Sequence, residues 1–278
     1  MNEVAVTASA RKKELRTLAE RADVHELYEE AVQSVDSEVE FMHDTFRTLR
    51  GRQAQGFRED FCGTASACCE WVRKTPRGFA VGVDNDPAVL EWGRKNRVAR
   101  LAEKDRARVK LLESDVRTVE SDTVDVIGAF NFSYFLFEAR NELRDYFVAA
   151  HSALAADGIL FLDAFGGPES ISVQKERTKC DGFTYVWDQA SYAPVTNHIT
   201  CHIHFHFPDG SKLKRAFTYE WRMWSLPEIR ELLLEAGFVR VRVYWEGTGE
   251  DGEGNDEFAE SATGEPDAAW VSYIVAEK

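Results

Sequence analysis

Positive charge is scarce in this sequence. Its 34 lysines and arginines face 48 aspartates and glutamates among 278 residues, a formal net charge of −14. That balance argues against a nucleic-acid backbone or an anionic membrane as main partner, since both need a positive footprint. No run of about eighteen apolar residues occurs, so no transmembrane helix is expected. The N-terminus lacks the apolar core of a secretory signal, and its basic residues are interleaved with acids, unlike a transit peptide. Cysteine is also sparse. Cys62, Cys68, Cys69, Cys180 and Cys201 make an odd count without CxxC spacing, so they read as reduced thiols of a cytoplasmic protein with no metal site.

What is present supports a folded enzyme-sized domain. With 44% hydrophobic and 12% aromatic residues, the chain can bury a sizeable core. Leu15, Leu18, Leu27, Tyr28, Ala31 and Val32 form an apolar stripe at helical spacing, continued after Asp36-Ser37 by Phe41, Phe46 and Leu49. From Phe57 strand and helix patterns alternate. Strands are expected at 57–61, 79–84, 108–113, 124–131 and 158–165, with helices at 65–75, 87–103 and 138–155 between them. Such units build an α/β fold with a parallel sheet and helices on both faces.

After Gly166-Gly167-Pro168 the texture changes. Residues 183–222 alternate polar and apolar side chains, and Pro208-Asp209-Gly210-Ser211 is a hairpin turn signal. A small antiparallel sheet inserted into the α/β domain is expected here. A helix over 226–236 follows, with Ser225 as N-cap, Pro227 in its first turn and Gly237 closing it. Strands at 238–246 and 269–276 end the chain, joined by Gly247 to Asp267, which reads as a mobile acidic loop. Its Asp251-x-Glu253-x-Asn255 spacing lacks the glycine and helical flanks of a calcium loop, so a solvated hairpin connection is favoured.

The chemistry-bearing stretch is Phe57-Arg58-Glu59-Asp60-Phe61-Cys62-Gly63-Thr64-Ala65-Ser66, followed by Val81-Gly82-Val83-Asp84-Asn85-Asp86-Pro87. It reads as a buried strand, a tight turn opening a helix, and a second strand ending on a carboxylate. An acid at that tip can accept hydrogen bonds from both hydroxyls of an adenosine ribose. The turn has one glycine where dinucleotide sites have three, which is poor support for a pyrophosphate. A nicotinamide-dependent oxidoreductase is therefore the weaker reading. A ligand bearing a carboxylate and no phosphate asks less of the turn.

At these residues the chain resembles the class I S-adenosylmethionine-dependent methyltransferases. Their acid-x-Gly-x-Gly-x-Gly motif is kept here only at Gly63, with Phe61 and Ala65 in the outer places and either Glu59 or Asp60 as the acid. Asp84 stands where the family's ribose-binding acid sits, and Asn85 beside the adenine. Glu113-Ser114-Asp115-Val116 resembles the segment whose acid accepts the adenine amino group. Asn131, Phe132 and Ser133 match the fourth strand's end, which lines the methionine. Leu154 to Leu160 matches the phrase before strand five, in which Gly158 would close the preceding helix.

The resemblance implies S-adenosylmethionine as cofactor, with the turn residues Cys62 and Gly63 among its contacts. It also implies a Rossmann-like seven-stranded sheet, mostly parallel with the last strand antiparallel. Residues 1–54 would be a helical cap, 55–167 and 225–278 the core, and 168–224 an inserted lid. Tyr28 is carried over as a cofactor contact from an N-terminal helix, or else packs on the sheet edge. Arg58 either pairs the cofactor carboxylate or neutralises Glu59 and Asp60.

Methyl transfer is an in-line displacement that needs an aligned lone pair, an excluded solvent and, for some acceptors, a base. The acceptor is expected on N or O of a small soluble molecule, and the protein to act alone or as a homodimer. A non-catalytic cofactor-binding protein with the same fold is the alternative. Three catalytic candidates stand out: Asp163, His204 and Arg222. Asp163, at the tip of strand five, is a base or a loop-capping acid. His202, His204 and His206 alternate on one face of a strand, which reads better as a polar outer face than as a base or metal site. Arg222, within Tyr219-Glu220-Trp221-Arg222-Met223-Trp224, either holds an acidic substrate group or is an edge charge.

Overall fold

The computed structural model describes residues 16–249 and 254–278. Three helices lead the chain: α1 (Leu18–Arg21), α2 (Val24–Val32) and α3 (Val35–Arg50). The expected stripe is thus broken twice, because Asp23 caps α2 by accepting the His25 and Glu26 amides, and Gln33-Ser34 separates α2 from α3. Leu15 lies outside the described residues.

The alternating unit follows. It comprises β1 (Gly56–Asp60), α4 (Ser66–Lys74), β2 (Phe79–Asp84), α5 (Pro87–Asn96), α6 (Glu103–Arg106), β3 (Val109–Glu113), β4 (Val124–Ala129), α7 (Arg140–Ala153) and β5 (Leu154–Gly166). The helix expected over 87–103 stops at Asn96, where Arg97 leaves helical geometry. Gly158 does not close α7. That helix ends at Ala153, and Leu154 already pairs with Val124 before a bulge shifts the β4–β5 register.

The lid segment forms β6 (Gln174–Lys179), β7 (Thr184–Ala193), β8 (His198–His206) and β9 (Lys212–Arg222). It is a four-stranded antiparallel meander in sequence order. Strand β6, Gln-Lys-Glu-Arg-Thr-Lys, was not expected: it is an edge strand with no apolar alternation to announce it. Helix α8 (Leu226–Glu235) opens on a capping box between Ser225 and Glu228. The strands β10 (Arg240–Thr248), β11 (Gly254–Glu260) and β12 (Trp270–Glu277) complete the chain.

The main sheet has the order β11-β10-β12-β5-β4-β1-β2-β3, with β5 to β3 parallel and β12 antiparallel to β5. Eight described strands replace the seven expected. The extra one, β11, lies in the segment read as a mobile loop and pairs antiparallel with β10, Tyr244 opposite Glu260. Asn255 is on this strand, while Asp251 and Glu253 lie outside the described residues. One face of the sheet buries Met42, Phe46, Phe57 and Trp71, and the other Leu143, Tyr146, Phe147 and Ile229. Both faces are therefore closed, and ligand access is left to the carboxyl ends of the strands where β1 and β4 diverge. No described helix is long and apolar enough to cross a membrane. The five cysteines carry free thiols.

Candidate active site

The turn after β1 is built on backbone conformation. Phe61, Gly63 and Ala65 all adopt positive φ, at 59°, 50° and 61°. Two of the three carry side chains, for which this left-handed region costs about 1 kcal/mol or more each. The turn is held by Cys62 N–H donating to Val83 O at 2.9 Å and by Gly63 N–H donating to Asp84 Oδ2 at 2.8 Å. Asp84 Oδ1 also accepts the Asp86 amide. Asp84 therefore joins the tip of β2 to the turn, and Asn85 beside it is exposed. Helix α5 crosses close behind: a Cβ on Gly93 would lie 2.5 Å from Thr64 O.

Asp115 follows β3, next to β2, and Ser114 N–H donates to Asp84 O at 2.9 Å. Both oxygens of the Asp115 carboxylate accept from the Arg117 guanidinium, which holds its pKa below the usual range. Val116 is buried.

Of the two candidate acids, Glu59 is the one turned toward the helix that follows the turn. Its Oε2 accepts the Cys68 amide at 3.0 Å on the α4 side, and burial pushes its pKa up to about 7. Arg58 and Asp60 point to the opposite face, as alternation along a strand requires. Arg58 Nη2 donates to Asp60 Oδ2 at 2.9 Å, and the Tyr146 hydroxyl donates to the same oxygen. Both residues are 1% exposed. Arg58 therefore neutralises Asp60, the second of the two roles read for it from the sequence, and both side chains lie in the core. The Cys62 thiol is likewise buried, against Gly82, so that only the backbone of Cys62 faces the turn.

Helix α2 lies over the turn and is fastened to it. Glu29 Oε1 accepts from Thr64 Oγ1 and Ser66 Oγ, each at 2.6 Å. Its carboxylate also pairs with Arg97, the residue at which α5 ends. The other side of α2 packs Leu27, Tyr28 and Ala31 against the inner face of the lid sheet, with Tyr28 at 4.8 Å from Phe217. Burial raises the Tyr28 phenol to about 12. Neither Glu29 nor Arg97 carries a motif that would have singled it out in the sequence.

Between the lid and the ends of β4 and β5 is a cavity of about 330 Å³. Tyr28, Phe132, Trp187, Tyr219 and Trp221 give it aromatic walls, with Tyr219 stacked on Trp221 at 4.4 Å. Glu169, Glu176 and Glu246 supply carboxylates, and Gln174 and Gln189 amides. A second lobe of about 310 Å³ opens beside it, lined by Glu38, Asn131 and Asp163 among others. Among the described residues, no lysine, arginine or histidine lines either space.

Asn131 and Phe132, at the tip of β4, hold φ of 58° and 56°. Asp163 fixes this strained pair by accepting the Asn131 amide at 2.6 Å and the Phe132 amide at 2.9 Å. Burial raises its pKa to about 7. Asp163 thus caps the loop and also faces the second lobe. Ser133 turns inward, its hydroxyl donating to Phe130 O.

The other two catalytic candidates sit elsewhere. His204 is on the face of β8 away from the cavity, with Nε2 at 3.1 Å from Asp188 Oδ2, and Lys175 beside the same carboxylate. That carboxylate was not foreseen, since Asp188 comes from the neighbouring strand. Arg222 donates to Glu138 O and Glu228 Oε1 and lies 3.7 Å over the Trp224 ring. It ties the lid to α8 and does not line the cavity.

No protein-family model and no curated protein matches this sequence. Solved structures do. A S-adenosylmethionine-dependent methyltransferase from Clostridium acetobutylicum superposes with a TM-score of 0.67 at 14% identity, over 91% of this chain and 96% of its own. A S-adenosylmethionine-bound amino pentose methyltransferase from Micromonospora echinaspora does so at 0.64 and 18%, over 92% and 97%. A sugar N-methyltransferase from Streptoalloteichus sp. gives 0.62 at 15%, over 100% and 99%. The chain therefore has the fold of the S-adenosylmethionine-dependent methyltransferases that the turn and the order of acids along its strands resemble.

Proposed function

We propose that this protein is a S-adenosylmethionine-dependent methyltransferase whose acceptor is the nitrogen of a small cationic amine. The observation that carries the reading is the cavity at the strand ends, where aromatic faces and carboxylates converge without a lysine, arginine or histidine among the described residues. Aromatic faces and carboxylates attract ammonium groups and leave an acidic substrate without a partner. The similar structures described above, an amino pentose methyltransferase and a sugar N-methyltransferase, agree with it.

The residues present fit the donor. The Asp84 carboxylate would hold the ribose hydroxyls, Asp115 the adenine amino group, and Tyr28, Asn131 and Phe132 would border the methionine end. Phe61 and Ala65 carry side chains on the turn where a pyrophosphate needs close backbone approach, which disfavours a nicotinamide dinucleotide. When bound, the donor supplies an electrophilic methyl group on a sulfonium. The chain's part is to exclude water with α2 and the lid, to take the ammonium proton of the acceptor on a cavity carboxylate, Glu169 or Glu176, and to hold the freed lone pair in line against Tyr219 and Trp221. The five free thiols suit a reducing, cytoplasmic setting.

Calorimetry with S-adenosylhomocysteine, followed by turnover of methyl-labelled donor with amines, phenols and carboxylic acids, tests the reading. One binding site per chain and label on amines are expected. Binding without transfer to any acceptor would favour the non-catalytic alternative, and no binding would overturn the donor assignment.

A further inference from the structure

The second lobe is the part of the site that the acceptor cavity does not explain. It lies between the start of α3 and the tips of β4 and β5, and it shares Val32, Asn131, Phe132, Glu246 and Val271 with the aromatic cavity. Three carboxyls line it, and two of them, Glu38 and Asp163, are only 8% and 7% exposed. Asp163 accepts one backbone amide on each oxygen, which leaves acceptor capacity on both. Glu38 receives no side-chain hydrogen bond among the described residues; the Ser34 amide is what favours its charged form. A nine-tenths buried carboxyl facing a space lined by no lysine, arginine or histidine is costly, and a second one beside it compounds the cost.

The group that would relieve both is a compact cation with several N–H donors. An ammonium has three. The lobe's position supplies the candidate, because it borders Asn131-Phe132 at the end of β4 and runs under the chain that leaves α2 at Val32. That is the methionine end of the proposed donor. We infer that Glu38 and Asp163 together receive the α-ammonium group of the donor, leaving the aromatic cavity to the acceptor amine. The inference rests on the S-adenosylmethionine reading and adds to it a receptor that no motif marks.

Protonation follows from this arrangement. Burial first, then the neighbouring charges of Asp163 and Glu59, raise the Glu38 carboxyl to about 8. The remaining ionisable groups bordering the lobe are Glu246 on β10 and Tyr273 on β12. An arriving ammonium favours the ionised carboxyls, so binding near neutral pH releases protons.

The test compares S-adenosylhomocysteine with 5′-methylthioadenosine, which keeps the nucleoside and sulfur but lacks the amino-acid part. Calorimetry is run on the unaltered protein and on Glu38→Gln, in buffers of different ionisation enthalpy, with circular dichroism to check folding. Glu38→Gln is expected to weaken S-adenosylhomocysteine about tenfold and 5′-methylthioadenosine by less than about twofold. Proton release should accompany only the first ligand and shrink in the variant. Equal weakening of both ligands would mean that Glu38 merely supports the start of α3, and overturns the assignment. So would unchanged affinity with no proton release. If neither ligand binds the unaltered protein, the donor reading itself fails, and the assignment with it.

Discussion

Asp84 braces the Gly63 and Asp86 amides with its carboxylate, and the proposed function gives it the donor's ribose as well. Replacing it with asparagine keeps the size and removes the charge. Asp84→Asn is expected to weaken S-adenosylhomocysteine by about tenfold or more, measured by calorimetry, since hydrogen bonds to a charged acceptor contribute about 1.5–3 kcal/mol. Gly63 gives a second residue-scale expectation. A Cβ there meets nothing within 4 Å, so Gly63→Ala costs only its positive φ, about 1 kcal/mol in chemical denaturation. Any larger loss would mean that the turn is tighter than described.

Glu38 links the same scale to pH. Its folded pKa of about 8 lies above the ordinary 4.5, so between those values the folded state holds a proton that the unfolded chain has lost. Stability from this group is fully present below pH 4.5 and is lost as pH rises through about 8. In the ligand-free protein, Glu38→Gln should therefore gain stability relative to the unaltered chain from pH 5 to pH 8, on the order of a few kcal/mol. Thermal melts at both pH values check it; a difference independent of pH would contradict the buried carboxyl.

Among the elements, α2 is fastened over the turn by one side chain, Glu29, which would make it the cover of the proposed donor site. Glu29→Gln keeps the contacts of Thr64 and Ser66 but loses the charge that holds Arg97. Faster hydrogen exchange over 24–32 and weaker donor binding are expected, with the global unfolding midpoint little changed. Uniform exchange across the variant would contradict the idea of a local latch. Helix α5 offers the converse case: Gly93→Ala drives a methyl group into the Thr64 carbonyl and should destabilise the turn by about 1–3 kcal/mol.

Which elements could be read from sequence follows from the same physics. Strands β2, β4 and β5 are mostly apolar runs covered on both faces, so their pattern is strong, whereas β1, Gly-Phe-Arg-Glu-Asp, is buried despite three charged residues. Strands β6 and β11 are polar edges whose existence depends on a partner, and local pattern carries no sign of that. The choice between Glu59 and Asp60 stayed open in the sequence, because the extra residue of the turn blurs the register; in the structure the two face opposite ways, as neighbours on a strand do. Glu29 and Glu38 were out of reach. They join the site only because α2 and α3 fold back over strands that follow them in the chain.

At the scale of the whole molecule, the excess of acid is not spread without consequence. The net charge of −14 is accompanied by carboxylates at the mouth and inside of both spaces, from α3, β5, β6 and β10. That field draws amines toward the site and repels acids. What remained hidden from sequence at this scale was the joint between the lid and the strand ends, since the cavity exists only between elements distant in the chain. The most direct measurement is the electron density of crystals grown with S-adenosylhomocysteine. The ribose is expected on Asp84, the sulfur by Asn131 and Phe132, and the open side of that sulfur facing Tyr219 and Trp221. Density for the ligand elsewhere, or none at saturating concentration, would contradict this placement.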